Sequence, residues 1–425
     1  MPVGFAVVAR DGRVEFRIFG RQRADRPALV ASGEDGDSQA VLMGRLYYRH
    51  DLRSRAGAAD TPAQSSDAAL ALASYRKFGL AGVENLEGDF ALAILDARER
   101  RLVASRDPMG GYPIYWLQRD GTVAVATGLR PLVDLLPTRS VDVGFLAETL
   151  MLPFAEIDYF EGTAFEGIAR LVPGSLLTVD LPRRTVARRE FWNWSDRIED
   201  PGTDRVETIA ERYGERLRAA TRERLRGSVA SHLSGGMDST AVALLARDEL
   251  GRTGRPLHAL SLVYKDLSSL DRETPYLESA LARPGIVPHR IIADDILDYD
   301  LFRDTPLHDE PYTGLFRAGL DIALTDAAAA AGADTILTGL GADEMLATVP
   351  FYIADLLRGG HIRAAWSESA RWARAHNCSV WRFLRPFGLV RERPPSWSGH
   401  ASVPGASSVL VSSPVPPIRA ARRRP

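Results

Sequence analysis

The chain has 425 residues, 45% of them hydrophobic and 25% charged, and a formal net charge of −2. That length suggests two or three domains, and that balance excludes a bulk electrostatic case for binding nucleic acid or an anionic membrane surface. One cysteine, Cys378, excludes an intramolecular disulfide and a cysteine-based zinc site, and no apolar run approaches the roughly 20 residues of a membrane span, so a cytoplasmic enzyme is expected.

Residues 1–195 read mostly as short strands and turns. "GRVEFRIFG" alternates Val14, Phe16 and Ile18, the pattern of a half-buried strand. "GDFALAILDARERRLVASRD" gives a buried strand, a polar turn and a second strand. "YPIYWLQRDGTVAVATG" repeats the hairpin with Asp120-Gly121 at its turn. "DAALALASYRKFG" predicts one interrupting helix, and residues 32–38 and 54–66, rich in Gly, Ala, Ser and Asp, predict loops. From about residue 200 the texture changes. "DRVETIAERYGERLRAATRERL" is an amphipathic helix, "GSVASHLSGG" a strand running into a glycine turn, and "MDSTAVALLARDELG" a helix ending at Gly251. "LHALSLVY" is another strand, and "GLDIALTDAAAAAGADTILTGLGADEML" reads helix, strand, glycine loop. Strands alternating with helices predict a parallel α/β sheet. From Pro394 the chain is rich in Pro, Ser and Gly with no acidic residue, which predicts a disordered tail over 394–425.

The stretch Ser234-Gly235-Gly236-Met237-Asp238-Ser239 joins a strand to a helix, a geometry suited to an anion. The glycines let backbone N–H groups approach a ligand, the helix start adds its positive dipole end, and Ser234, Ser239 and Thr240 add hydroxyls. Asp238 among phosphates makes sense if it holds Mg²⁺. The lysine of a kinase-type loop is missing, which suits attack at the α-phosphorus with a gripped pyrophosphate leaving group. A second loop, Gly339-Leu340-Gly341, precedes Asp343-Glu344 at a helix start. In a doubly wound sheet both loops lie beyond the carboxyl ends of strands, which would bring Asp238 and Asp343 toward one metal. Asp343 and Glu344 also suit simple helix capping.

"SGGMDS" followed by "GLGADE" resembles the synthetase domain of the asparagine synthetase class. "LEGDFALAILDARERRLVASRDPMGGYPIYW" and "RLVPGSLLTVDLPRRTVARREFWNW" resemble that class's glutaminase-type domain. The resemblance implies an N-terminal glutaminase-like α+β sandwich at 1–195. It also implies a doubly wound parallel-sheet ATP-pyrophosphatase-type synthetase domain at 203–393, with ATP and Mg²⁺ as cofactors. Glutamine-using members carry cysteine as their second residue. Here that residue is Pro2, which has no thiol, so no thioester can form and the amine must come from elsewhere. Members of this kind close rings within one substrate. Residues 344–393, with "DLLRGG" and a following "WARA" helix, look like lasso-peptide macrolactam cyclases more than β-lactam synthetases. The resemblance then implies a precursor peptide as substrate, with a leader-binding protein and a leader peptidase as partners. A small-substrate ligase, or an inactive nucleotide-binding relative, stays open.

An attacking amine must lose a proton, and "HDEPYTGLF" offers Glu310 and Tyr312 as candidate bases, beside His308 and Asp309; capping and turn roles suit the same residues. "LSLVYKDLSS" resembles the class's adenine-receiving segment, with Ser261 and Val263 as backbone contacts and Lys265 at the surface. Tyr352, Trp366, Trp372 and Trp381 suit a peptide pocket or an ordinary core. Members of the class carry a late lysine, and this chain has none after Lys265. With the abrupt change after Arg393, this implies a truncated or frame-shifted product.

Overall fold

The computed structural model describes residues 3–20, 29–57, 65–151, 160–198, 204–267, 272–296, 309–311, 318–346, 350 and 352–388. The chain forms two compact units, Met1–Met345 and Leu346–Pro425. The tail expected over 394–425 lies outside the described residues.

The first part of the larger unit runs through β1 (Gly4–Arg10), β2 (Arg13–Phe19), β3 (Val30–Asp35), β4 (Ser38–Leu46), α1 (Arg49–Ala56), α2 (Asp67–Phe78), α3 (Leu80–Glu84), β5 (Gly88–Asp96) and β6 (Arg101–Arg106). It continues through β7 (Tyr115–Arg119), β8 (Thr122–Ala126), α4 (Arg130–Val133), α5 (Val143–Met151), β9 (Ala169–Arg170), β10 (Ser175–Asp180) and β11 (Thr185–Glu190). Two antiparallel sheets result, in the orders β2-β1-β8-β7-β9 and β11-β10-β6-β5-β4-β3. They face each other across Phe5, Val7, Val123 and Val125 from one sheet and Val41, Ala93, Leu102 and Val179 from the other, all buried. The α2 stripe Leu70, Leu72 and Tyr75 covers the outer face of the second sheet, and Leu132 and Val133 of α4 cover that of the first. The α/β/β/α sandwich follows from the strand alternation, because each strand offers an apolar row to both neighbouring layers. Each fully buried Leu or Phe contributes about 1.5–3 kcal/mol.

Three sequence-level details come out differently. Residues 32–35, expected as loop, belong to β3, which pairs with β4 from Val30↔Met43 to Asp35↔Ser38. Gly33 is needed there because α2 lies flush on the strand: a Cβ would sit 2.6 Å from the Ala69 backbone nitrogen. Residues 54–56 complete α1. In β2 the alternation slips at its end, so Ile18 is exposed and Phe19 turns inward. The Asp120-Gly121 turn has positive φ at both positions, 47° and 73°, as a tight two-residue hairpin requires.

The second part contains α6 (Val206–Glu223), β12 (Val229–His232), α7 (Met237–Gly251), β13 (Leu257–Val263), α8 (Thr274–Leu281), β14 (Ile286–Ile292), α9 (Ala318–Ala330), β15 (Thr335–Leu337) and α10 (Ala342–Leu346). Its four strands, ordered β14-β13-β12-β15, are all parallel. Ala243, Ala246 and Leu250 of α7 and Leu277 and Leu281 of α8 pack on one face; Leu324 and Ala328 of α9 pack on the other. This is the doubly wound arrangement that the strand–helix alternation predicts. The two parts of the unit are cross-tied. Arg45 donates to Thr335 Oγ1 at 2.8 Å and to the Arg226 carbonyl at 3.2 Å, and Tyr48 N donates to Glu223 at 2.7 Å.

The smaller unit holds α11 (Tyr352–Arg358), α12 (Ile362–Ala375) and α13 (Trp381–Gly388) around Ile353, Ala365, Ala373, Phe383 and Leu384. Among the described residues no helix is long and apolar enough to cross a membrane.

Candidate nucleotide site

Strand β12 lies between β13 and β15, so its trailing loop is flanked by the ends of both. Leu233 N donates to the Leu260 carbonyl at 2.9 Å and ties the loop to β13. Gly235 then adopts φ +92°, a left-handed turn that L side chains resist, and α7 starts at Met237. Gly236 at its N-cap offers no side-chain cap, so the first-turn N–H groups have no side-chain acceptor from that position. Ser234 and Ser239 hydroxyls meet at 2.9 Å across the loop, and Ser234 Oγ accepts from Gly236 N at 3.1 Å. The Thr240 hydroxyl, in the same first turn, is buried with no partner among the described residues. An uncapped helix start lined by hydroxyls is a site for phosphate oxygens.

The loop after β15 closes on this one. A Cβ at Gly339 would stand 2.6 Å from Ser239 N and 3.0 Å from the Asp238 carbonyl carbon, so only glycine permits the approach. The structure therefore brings Ser234, Gly235, Gly236, Asp238, Ser239 and Gly339 into one place. Gly341 follows at φ +88° with open space around it, and Asp343 lies exposed on α10. Asp238 is half-buried and makes no ion pair among the described residues. No group of three or more metal-ligating side chains is assembled among the described residues. Asp238 opens α7 and Asp343 opens α10, the helices that follow the two glycine loops, and carboxylates there suit a cation that also touches phosphate.

Ser261 is buried and its Oγ has no partner among the described residues, so it can offer a hydroxyl as well as backbone. Val263 presents less than expected, because its carbonyl already accepts from Ala293 N at 3.0 Å. The segment after β13 is set by Asp294, whose carboxylate accepts from the amides of Lys265, Asp266 and Leu267 at 2.8–3.2 Å. Those amides hold the Asp294 carboxyl below the usual range. The Lys265 side chain is exposed.

Sequence reasoning missed Glu273. It precedes α8, its carbonyl accepts from Leu277 N at 3.0 Å, and its carboxylate oxygens stand 3.1 and 3.4 Å from where a Gly236 Cβ would be. No local signal marks it, since the approach is tertiary.

Glu310 sits elsewhere. One oxygen pairs with the Arg170 guanidinium and the other accepts from the Tyr115 hydroxyl at 2.7 Å. Arg170 is fully buried and Glu310 is 16% exposed. Burial and the adjacent Glu310 carboxylate raise the Tyr115 hydroxyl well above its ordinary pKa. Asp309 pairs with Arg130 at 2.8 Å. The Asp309-Glu310 step thus fastens to the sandwich, and both Glu310 oxygens are engaged. His308 and Tyr312 lie outside the described residues.

In the smaller unit, Trp372 Nε1 donates to the Tyr352 hydroxyl, which donates to Glu368, both at 2.9 Å, while the Trp372 ring stacks on His376. Trp366 and Trp381 form an edge-on pair that is half exposed. Tyr352 and Trp372 belong to the core of this unit, and Trp366 and Trp381 to its surface.

Comparison with known proteins adds two family matches. Residues 16–192 match the glutamine amidotransferase domain and residues 212–407 match asparagine synthase. Among relatives, an amidase named chyE from Penicillium rubens is 28% identical over 339 residues, covering 76% of this chain and 49% of that protein. The glutamine-hydrolyzing asparagine synthetase 3 of Bacillus subtilis is 26% identical over 281 residues, covering 62% and 44%. The chain spans about half the length of the curated relatives it matches. Glutamine phosphoribosylpyrophosphate amidotransferase from B. subtilis aligns at 13% identity over 79% of this chain and 84% of that one, with a TM-score of 0.29, too low to bear on the arrangement of the whole.

Proposed function

We propose that this chain is a member of the asparagine synthetase family, on its matches to the glutamine amidotransferase domain and asparagine synthase, and that it uses ATP to join a carboxylate to an amine. The observation that carries the reading is the pair of glycine loops packed on each other at the uncapped start of α7, with the Thr240 and Ser261 hydroxyls buried and without a partner among the described residues. Such a cradle presents N–H and O–H donors to an oxyanion and carries no lysine. It suits a leaving pyrophosphate held while the α-phosphorus is attacked. A substrate carboxylate oxygen bonds to that phosphorus and the bond to the β-phosphate oxygen breaks, giving an acyl-adenylate and pyrophosphate. An amine then bonds to the acyl carbon, AMP leaves, and the amine's proton passes to a base. Mg²⁺ held by Asp238 and Asp343 would neutralise phosphate charge when bound. Ser234 and Ser239 orient the loop through their mutual hydrogen bond.

The finer reading is macrolactam closure in a lasso-type precursor peptide: an Asp or Glu side chain is adenylated and the peptide's own N-terminal amine attacks. The lack of a cysteine in residues 1–377 supports it, since ammonia release by thioester chemistry in the amidotransferase-type domain would need a thiol. An amine within the substrate also gains the advantage of proximity. With Glu310 engaged by Arg170 and Tyr115, Tyr312 is the proposed base. A leader-binding protein and a leader peptidase are the proposed partners. A second reading, an asparagine synthetase-like ligase on a small substrate, draws on the likeness to the B. subtilis protein.

Intact-mass spectrometry of a precursor peptide encoded beside the gene, co-expressed with the chain and its leader-processing partners, tests the finer reading. Loss of one water that disappears with Asp238→Ala is the expected result. An unchanged mass, with ATP–pyrophosphate exchange on a free amino acid or other small carboxylate, would move the assignment to the second reading. Absence of both activities would refute the ligase assignment.

A further inference from the structure

At the far end of the sandwich from Gly4, four hairpin turns meet: 11–12, 97–100, 120–121 and 181–184. The seven residues of β1 put that end about 20 Å from the start of the strand. The turns border a cleft of about 230 Å³ between the two sheets. They are tied to one another, since Leu181 N donates to the Arg100 carbonyl at 3.0 Å and Gln118 donates to the Arg184 carbonyl at 2.8 Å. The cleft is therefore held open by the fold itself.

Its rim is cationic. Arg10, Arg13, Arg100 and Arg184 line it, against a single acid, Asp11, which pairs with Arg10 at 3.3 Å. Of the other acids at these turns, Asp120 pairs with Arg119 and Asp180 with Arg183, while Glu99 is exposed in the 97–100 turn. Arg13, Arg100 and Arg184 have no carboxylate partner among the described residues. The Arg184 guanidinium lies over the Gly121 turn, with Cζ 3.1 Å from where a Cβ would be. Below the rim the lining turns apolar. Val123 and Val179 are buried, and Val14, Leu95 and Leu181 are half-buried.

Guanidiniums with no carboxylate partner among the described residues, set above apolar side chains, suit a ligand with one anionic head and one apolar body. We propose that this cleft binds a free amphiphilic monoanion, its carboxylate between Arg100 and Arg184 and its hydrocarbon on the half-buried Val14, Leu95 and Leu181. Guanidinium forks match a carboxylate in two-point geometry. At about 30 Å³ per water-sized group, the cleft accommodates a chain of roughly eight carbons. The site is separate from the nucleotide cradle, so the inference stands whether or not the ligase reading holds.

Calorimetric titration of the full chain with octanoate tests it, with acetate and 1-octanol as probes that lack the tail and the charge. Arg100 and Arg184 occupy positive-φ turn positions, 49° and 54°, where asparagine is tolerated, so Arg100→Asn with Arg184→Asn removes both charges without disturbing the turns. Saturable octanoate binding is expected, at least about tenfold weaker in the double variant, at least about tenfold weaker for acetate, and weakened by salt. Octanol binding is expected to be the same in both proteins. Equal octanoate affinity in the double variant, or no saturation at millimolar octanoate, would overturn the proposal. So would binding of a short peptide with an apolar, free C-terminus in place of octanoate, which would assign the cleft to a protein partner.

Discussion

Replacing Glu310 with glutamine takes a carboxylate away from the charged, fully buried Arg170 guanidinium. At a separation of about 4 Å and an effective dielectric of about 20, the pair attracts by about 4 kcal/mol. Breaking a buried pair by removing one partner costs about 3–5 kcal/mol, because the remaining charge keeps its desolvation penalty. The Tyr115 hydroxyl adds a bond to a charged acceptor, of about 1.5–3 kcal/mol. Glu310→Gln is therefore expected to destabilise the larger unit by about 3–5 kcal/mol. Arg170→Met in the same chain removes both charges, so the double variant should be more stable than Glu310→Gln alone by about 2 kcal/mol or more. Urea unfolding of the four proteins, followed by near-UV circular dichroism, gives the coupling energy. The surface pair Arg130–Asp309 serves as the control and should couple by less than about 1 kcal/mol. A coupling between Arg170 and Glu310 no larger than that control would refute the account of Glu310 as the fastening of its segment to the sandwich.

At Gly339, alanine places a methyl 2.6 Å from Ser239 N, and the resulting strain of about 1–3 kcal/mol falls on the loop that meets α7. Mg·ATP binding by calorimetry should weaken at least about tenfold while far-UV circular dichroism stays unchanged; wild-type affinity would remove the case for a shared cradle. Asp107 is fully buried, and burial, with Asp89 nearby, pushes its pKa up to about 6 from 3.8 against the pull of three backbone amides. An acid raised in this way binds its proton more tightly folded than unfolded. Its contribution is thus present below about pH 4 and is lost, by about 3 kcal/mol, as pH rises through about 6. The stability of Asp107→Asn relative to the parent chain should shift in the variant's favour by that amount between about pH 4 and pH 7, and a pH-independent difference would contradict it.

What sequence could convey divides along the range of the interactions involved. The Asp120-Gly121 turn, the helix after the first glycine loop and the parallel sheet are set by local dihedral preferences and by hydrophobic period, and both are written in contiguous residues. Residues 32–35 failed that test because Ser-Gly-Glu-Asp has loop composition. Pairing with β4, and α2 passing close over Gly33, make it a strand. Glu273 and Arg170 were invisible for the same reason at longer range. Each is an ordinary charged residue in sequence, and each becomes informative only through what folds against it. For Glu273 the partner is Gly236. A carboxylate next to a loop whose free donors suit phosphate oxygens would repel the ligand the loop attracts. At about 4 Å in a dielectric of about 20, a unit charge on each side opposes binding by about 4 kcal/mol. Electrostatics then requires either a cation between the two or a carboxylate that swings outward on binding. Glu273 is exposed and free to do either. Glu273→Gln distinguishes them by magnesium titration of ATP binding. A weaker magnesium dependence would make Glu273 part of the cation's surroundings beside Asp238, and tighter ATP binding without magnesium would make it the source of repulsion. Unchanged binding in both conditions would place its carboxylate outside the nucleotide's field.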